Sequence, residues 1–176
     1  MVLPSWPPRP EHPSPYQIFV TDAPSCSVTR RSKDSARLLA LWAEDLVEAL
    51  YQNSGWKVLN RRFRTTGTEI DLVVCNPLQT EGRIVEVKAR SPVVGVLAAN
   101  QSLASVESLI SRRKIESLRH GANIIAGNYQ QMSGNELTWS CDLVLVVPGA
   151  ESHLIVSWSD VFQQQRRPRS RGSRPL

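Results

Sequence analysis

Two short apolar segments separated by a tight break constrain this chain more than any other feature. Residues 69–75 read Glu-Ile-Asp-Leu-Val-Val-Cys, and residues 83–89 read Arg-Ile-Val-Glu-Val-Lys-Ala. Both are rich in Ile, Leu and Val, the composition of strands. Asn76-Pro77 and Gly82 mark a turn region between them. A connection this short predicts antiparallel pairing. Side chains alternate along a strand, so Glu69 and Asp71 share one face of the first segment, and Glu86 and Lys88 share one face of the second. A register that matches those faces brings Asp71, Glu86 and Lys88 to one spot, whereas a slip of one residue separates them. Polar groups buried in such strands cost on the order of 2–7 kcal/mol each unless partnered. A metal ion or an internal salt-bridge network must therefore compensate them.

The flanking pattern supplies the rest of a domain. Ser35–Gln52 predicts a helix, with Leu38, Leu39, Trp42, Leu46, Ala49 and Leu50 on one arc. Asp34 or Ser35 caps its start, and Gly55 lies just past its end. Trp56–Arg64 predicts a strand before the pair. Ser111 is an N-cap for a second helix with Ile115, Leu118, Ala122 and Ile125 at helical spacing. Leu143–Val147 and His153–Val156 predict two later strands around Pro148-Gly149, and a short helix from Ser159 closes the order. That order predicts an α/β (mixed α+β) domain over 34–162, a mixed sheet with helices packed against it. Residues 1–33 hold seven of the twelve prolines and predict a disordered leader, with a short ordered patch at Tyr16–Val20. Residues 163–176, with five arginines and no acid, predict a disordered tail.

Charge and composition exclude several classes. The net charge of +5 belongs to the ends: the leader carries +2, the tail +5 and residues 34–162 carry −2. A basic tail can hold phosphates through counterion release without reading sequence, but composition alone favours a solvated, disordered terminus. Cys26, Cys75 and Cys141 form no CxxC pair, and His12, His120 and His153 are scattered, so neither a disulfide framework nor a zinc site is expected. Mean hydropathy is −0.25, and the longest aliphatic run, Leu143–Val147, is far short of a membrane span. Prolines open the N-terminus where a secretory signal needs a compact apolar stretch. A cytoplasmic protein without membrane contact is the default expectation.

The acids and the lysine fit one chemistry well. Cleaving a phosphodiester adds a nucleophile to an anion and expels an alkoxide. A hard dication held by two carboxylates neutralises that charge and lowers the pKa of a bound water. Mg²⁺ (or Mn²⁺) prefers oxygen ligands, so Asp71, Glu86 and the carbonyl of Val87 make a sufficient set. The ammonium of Lys88 would orient the water or offset charge on the phosphate. A single Glu-x-Lys is more often a plain ion pair, and an internal network of Glu69, Asp71, Glu86 and Lys88 is the structural alternative.

The segments Gly67-x-Glu-Ile-Asp-Leu-Val-Val74 and Ile84-Val-Glu-Val-Lys-Ala-Arg90 resemble the YraN-like family of uncharacterised bacterial proteins. That family belongs to the PD-(D/E)XK nuclease superfamily, with Holliday junction resolvase-like relatives. The resemblance extends to Glu44 before Gly55-Trp56, to 59–64, to Ile110–Lys114 with Leu118 and Ala122, to Ser140–Val144 and to Trp158–Phe162. It implies a restriction-endonuclease-like αβββαβ core and a metal-dependent endonuclease acting on DNA, branched or damaged DNA included. The alternative is a nucleic-acid-binding protein that keeps the fold without turnover. Asp71, Glu86, Lys88 and Glu44 would be catalytic, Asp71 and Glu86 would bind the metal, and Glu44 would approach from the first helix, a solvated glutamate being the alternative for it. Glu69 would support Lys88 or an arginine. Arg61, Arg62, Arg64, Arg90, Arg112, Arg113, Lys114 and Arg119 would line a phosphate-binding groove, or form a solvated face. Aromatic residues are few, so base stacking is not indicated. Arg37 and Arg83 read as surface charges. A homodimer is compatible with the resemblance. The chain departs from the family in Gly67-Thr68-Glu69 for Gly-Gly-Glu, in a longer turn before Glu86, and in an insertion at 93–109.

Overall fold

The computed structural model describes residues 17–21, 33–90, 109–149 and 152–164. In chain order these form β1 (Gln17–Thr21), α1 (Lys33–Asn53), β2 (Lys57–Thr65), β3 (Thr68–Cys75), β4 (Glu81–Ala89), α2 (Arg112–Ser133), β5 (Thr138–Val147), β6 (His153–Trp158) and α3 (Val161–Gln164). One six-stranded sheet runs β1-β6-β5-β4-β3-β2. Only β4 and β5 pair in parallel, across the crossover made by α2, and the other neighbours are antiparallel. The run from α1 to β5 is the αβββαβ order of the expected core, in a mixed sheet with flanking helices.

Alternation along β5 sorts the two helices onto opposite faces. Cys141, Leu143, Leu145 and Val147 pack with Ile115, Leu118, Ala122 and Ile125 of α2. Val144 and Val146 pack with Ala43, Val47 and Tyr51 of α1. Residues 141–147 are all buried, as a parallel central strand covered on both faces requires. This strand starts five residues earlier than expected, because Thr138 to Asp142 pair with β4 despite the polar side chains of Thr138, Ser140 and Asp142.

The α2 stripe is the one read from spacing. Ser111 caps the helix, its Oγ accepting the Lys114 N–H at 3.2 Å, and Gly134 ends it at φ 71°. The buried stripe of α1 differs from the expected arc. Ala43, Val47 and Tyr51 face the sheet, Trp42, Leu46 and Leu50 flank them, Leu38 is 55% exposed and Ala49 is exposed. The helix is apolar over a wide arc, and one contact selects the face. The Tyr51 hydroxyl donates to Asp142 Oδ2 at 2.8 Å, both residues being fully buried, and this pins the helix rotation.

Gln17–Thr21, inside the expected leader, is an edge strand on β6, where the ordered patch was placed. His153 is fully buried, edge-to-face with Trp42, and its Nδ1 accepts the Gly149 N–H. Cys75 and Cys141 are free and buried. The remaining leader, residues 93–108 of the expected insertion and the tail beyond Gln164 lie outside the described residues. No described helix is long and apolar enough to cross a membrane.

Candidate functional site

The site forms where β3 and β4 part. Their ladder pairs Cys75 with Gly82, Val74 with Arg83, Val73 with Ile84 and Leu72 with Val85, and stops there. Beyond that point β3 continues on β2 alone and β4 on β5 alone. The next pair in register would be Asp71 and Glu86. Instead, Asp71 Oδ2 accepts the Val87 N–H at 2.7 Å, so a side chain closes the open end of the ladder. In a strand the N–H and C=O of one residue point to the same side, so the Val87 carbonyl also faces the opening.

Both strands of the β2–β3 pair are irregular at this level. Arg62 sits mid-strand at φ 48°, a left-handed conformation that costs a non-glycine residue on the order of 1–3 kcal/mol. Arg61 pairs with Leu72 and Phe63 with Ile70, so Arg62 stands opposite Asp71 without a ladder pair. Ile70 packs into the α2-side core, yet Leu72, two residues on, packs into the α1-side core. The alternation therefore breaks at Asp71. Glu69 is held by Arg64, at 3.2 Å from Nε.

Charge accumulates around this break. Glu86 is 2% exposed, with Oε1 at 2.5 Å from Lys88 Nζ and Oε2 at 3.1 Å from Lys114 Nζ. Oε2 is buried and accepts no hydrogen bond of acceptable geometry. The Lys88 and Lys114 side chains are 28% and 30% exposed, so the acid is sealed while both lysines are half-buried at its edge. Burial, then the charge of Glu86, pushes the Asp71 carboxyl up to about 7, against the pull of the Val87 N–H and Lys88. Glu44 of α1 also raises it. Glu44 is 8% exposed and receives a two-pronged bond from Arg62, Nε to Oε2 at 2.8 Å and a terminal nitrogen to Oε1 at 3.1 Å.

Asp71, Glu86 and Lys88 thus meet at one place, with Glu44 beside them. Among the described residues no three His, Cys, Asp or Glu side chains are arranged as a metal cage. The two-carboxylate set still suits a hard dication. Asp71 and Glu86 repel each other, one Glu86 oxygen is a buried acceptor without a hydrogen bond, and a carbonyl faces the same gap. A cation there relieves the repulsion.

The basic set divides. Lys114 and Arg62 reach the acids. Arg61 turns outward to Asp45 and Glu48, Arg64 to Glu69, and Arg112 to Glu116. Arg90 donates to the Ala89 carbonyl, Arg113 is exposed, and Arg119 donates to the Phe162 carbonyl and lies over its ring. Arg37 is exposed, as expected, but Arg83 is not a surface charge. Its side chain is 11% exposed, 2.8 Å from the buried Asp142 and from Glu81, and stacked on Trp56. The signal for it was an acid inside the apolar run 141–147, which needs a cation somewhere in the fold. Sequence reasoning also missed that Lys114 touches Glu86. Its place three residues after an N-cap fixed only its helical turn, not its partner.

Comparison with known proteins places these features in a family. The profile of the Uncharacterised protein family UPF0102 matches residues 43–146, which include Glu44, Asp71, Glu86, Lys88, Lys114 and Asp142. A UPF0102 protein of Parvibaculum lavamentivorans (strain DS-1 / DSM 13023 / NCIMB 13966) is 34% identical over 128 residues, 70% of this chain and 84% of that protein. This agrees with the YraN-like resemblance of the two strand segments. With its sheet, its helices and its acidic break all inside or beside the matched span, the chain belongs to the Uncharacterised protein family UPF0102.

Proposed function

We propose that this protein is a divalent-metal-dependent endonuclease that hydrolyses phosphodiester bonds in DNA. The observation that carries the reading is the splayed end of β3 and β4, which gathers Asp71, Glu86 and Lys88 where the ladder stops. Asp71, Glu86 and the Val87 carbonyl would hold Mg²⁺ or Mn²⁺, which supplies charge neutralisation and an acidified water when bound. Lys88 is tethered to Glu86 and part-exposed, so it can turn to a phosphate oxygen as charge develops there. Asp71 is held in place by the Val87 N–H, which accounts for one of its two oxygens. Glu44 is oriented by Arg62 and adds negative charge at the α1 side.

The test is a cleavage panel of duplex, single-stranded and branched DNA with Mg²⁺ or Mn²⁺. Asp71→Ala and Lys88→Ala should abolish cleavage with the circular dichroism spectrum unchanged. No cleavage of any substrate under either metal would end the enzyme reading. One observation favours a second reading, a nucleic-acid-binding protein of this fold without turnover: Lys88 and Lys114 already neutralise Glu86 without a metal. It predicts salt-dependent DNA binding and no saturable Mn²⁺ site at Asp71 and Glu86.

A further inference from the structure

The break between β3 and β4 leaves their ends without ladder hydrogen bonds, and two side chains span it. Asp71 does so from β3 to the Val87 N–H of β4. Lys114 does so from outside the sheet: its Nζ donates to the Glu69 carbonyl of β3 at 2.6 Å and lies 3.1 Å from Glu86 Oε2 of β4. We propose that Lys114 is a positioning residue that braces the opening and sets the separation of the Asp71 and Glu86 carboxylates. The inference rests on the nuclease reading for its functional consequence, but the brace is a property of the fold.

The two lysines at Glu86 are not equivalent. Lys88 sits two residues along the same strand and touches only one oxygen of Glu86, so it can leave without disturbing the backbone. Lys114 has a second anchor on β3, two residues before Asp71. Its own backbone is fixed at the first turn of a 22-residue helix, through the Ser111 cap. That helix lies close on β3, because a methyl group at Gly121 would come within 2.7 Å of Ile70 Cδ1. Ser117 adds a bond to the Gly67 carbonyl at 3.0 Å. Lys114 therefore delivers an ammonium from a rigid support to both lips of the gap. A partner that orients a ligand in this way is commonly worth roughly 10–100-fold in metal affinity or activity.

Amide hydrogen exchange at Val87 tests the brace directly, because that N–H bonds across the same gap. In metal-free full-length protein, Lys114→Met should speed Val87 exchange by about tenfold or more relative to the amides of Val73 and Val74 in the intact ladder. Lys114→Arg, whose fork can still reach both oxygens, should restore the protection. With Mn²⁺ and cleavable DNA, Lys114→Met should lower kcat by roughly 10–100-fold with KM for DNA nearly unchanged. Unchanged Val87 exchange in Lys114→Met overturns the brace, whether or not the protein cuts DNA. A rise in KM with kcat preserved also overturns it, since that marks Lys114 as a phosphate contact instead. If Lys114→Met does not fold, Lys114→Gln and Lys114→Arg are compared, and equal Val87 protection in both overturns the proposal. Absence of cleavage in the parent protein refutes the nuclease reading and leaves the exchange result standing.

Discussion

Replacing Asp71 by Asn should make the metal-free protein more stable at pH 8, although Asp71 lies at the centre of the site. The carboxyl ionises near 3.8 in an open chain and near 7 in the fold, chiefly because burial and then Glu86 penalise its charge. The fold thus binds this proton more tightly than the unfolded chain does. Stability from this group is greatest below pH 4, falls as pH rises through the window from about 4 to 7, and is level above it. The gap between the two values is equivalent to about 4 kcal/mol at about 1.4 kcal/mol per tenfold. Glu86 shares in that repulsion, so a difference of about 2–4 kcal/mol is the expected size. Asn is neutral at every pH, and its oxygen can still accept the Val87 N–H. Urea unfolding in a chelator at pH 5, 6, 7 and 8 measures the difference between parent and variant. Asp71→Asn should gain on the parent from pH 5 to about 7 and hold that gain at pH 8. Adding Mg²⁺ at pH 8 should stabilise the parent and leave the variant unmoved, because only the parent keeps the paired charges. A variant that is less stable than the parent at pH 8, or a difference independent of pH, would refute the electrostatic account of the site.

Two other predictions follow from the charge network and the backbone. Arg83→Met should cost about 3–5 kcal/mol in urea unfolding, because it leaves the fully buried Asp142 without its cation; a loss under 1 kcal/mol would mean that the Tyr51 hydroxyl and the Asp160 N–H satisfy that carboxylate without it. Arg62→Gly should be more stable than Arg62→Ala by about 1 kcal/mol, the reverse of the usual order in a strand, because Arg62 sits at φ 48°. Equal melting temperatures for the two would show that this backbone conformation carries no strain.

How far the site was legible depended on the kind of information each residue needed. The antiparallel pairing of the two segments, which the fold realises over 72–75 with 82–85, followed from two apolar segments and a short turn, and the register of Leu72 with Val85 sets Asp71 and Glu86 at the same level. The opening itself was not legible. It depends on Arg62 leaving the strand conformation and on the alternation breaking at Asp71, and neither leaves a compositional mark. The groove of arginines was a reading of charge along the chain. In the fold, Arg61, Arg64 and Arg112 turn to nearby acids, which short-range sequence cannot rank against phosphate.

Local chemistry sufficed for whatever lies within one element or one turn. The α2 stripe and its Ser111 cap depend on spacing of 3 to 4 residues, and the presence of two acids and a lysine in apolar strands depends on composition alone. Contacts between distant segments needed the folded molecule. Tyr51 meets Asp142 across 91 positions and chooses the face of α1. Lys114 reaches back 45 positions to the Glu69 carbonyl. Arg83 meets Asp142 across 59. Each is a buried or half-buried polar pair, and its partner is settled by which elements the sheet order brings side by side. Periodicity reports how an element faces a core, whereas only the packed sheet reports what that core holds opposite it.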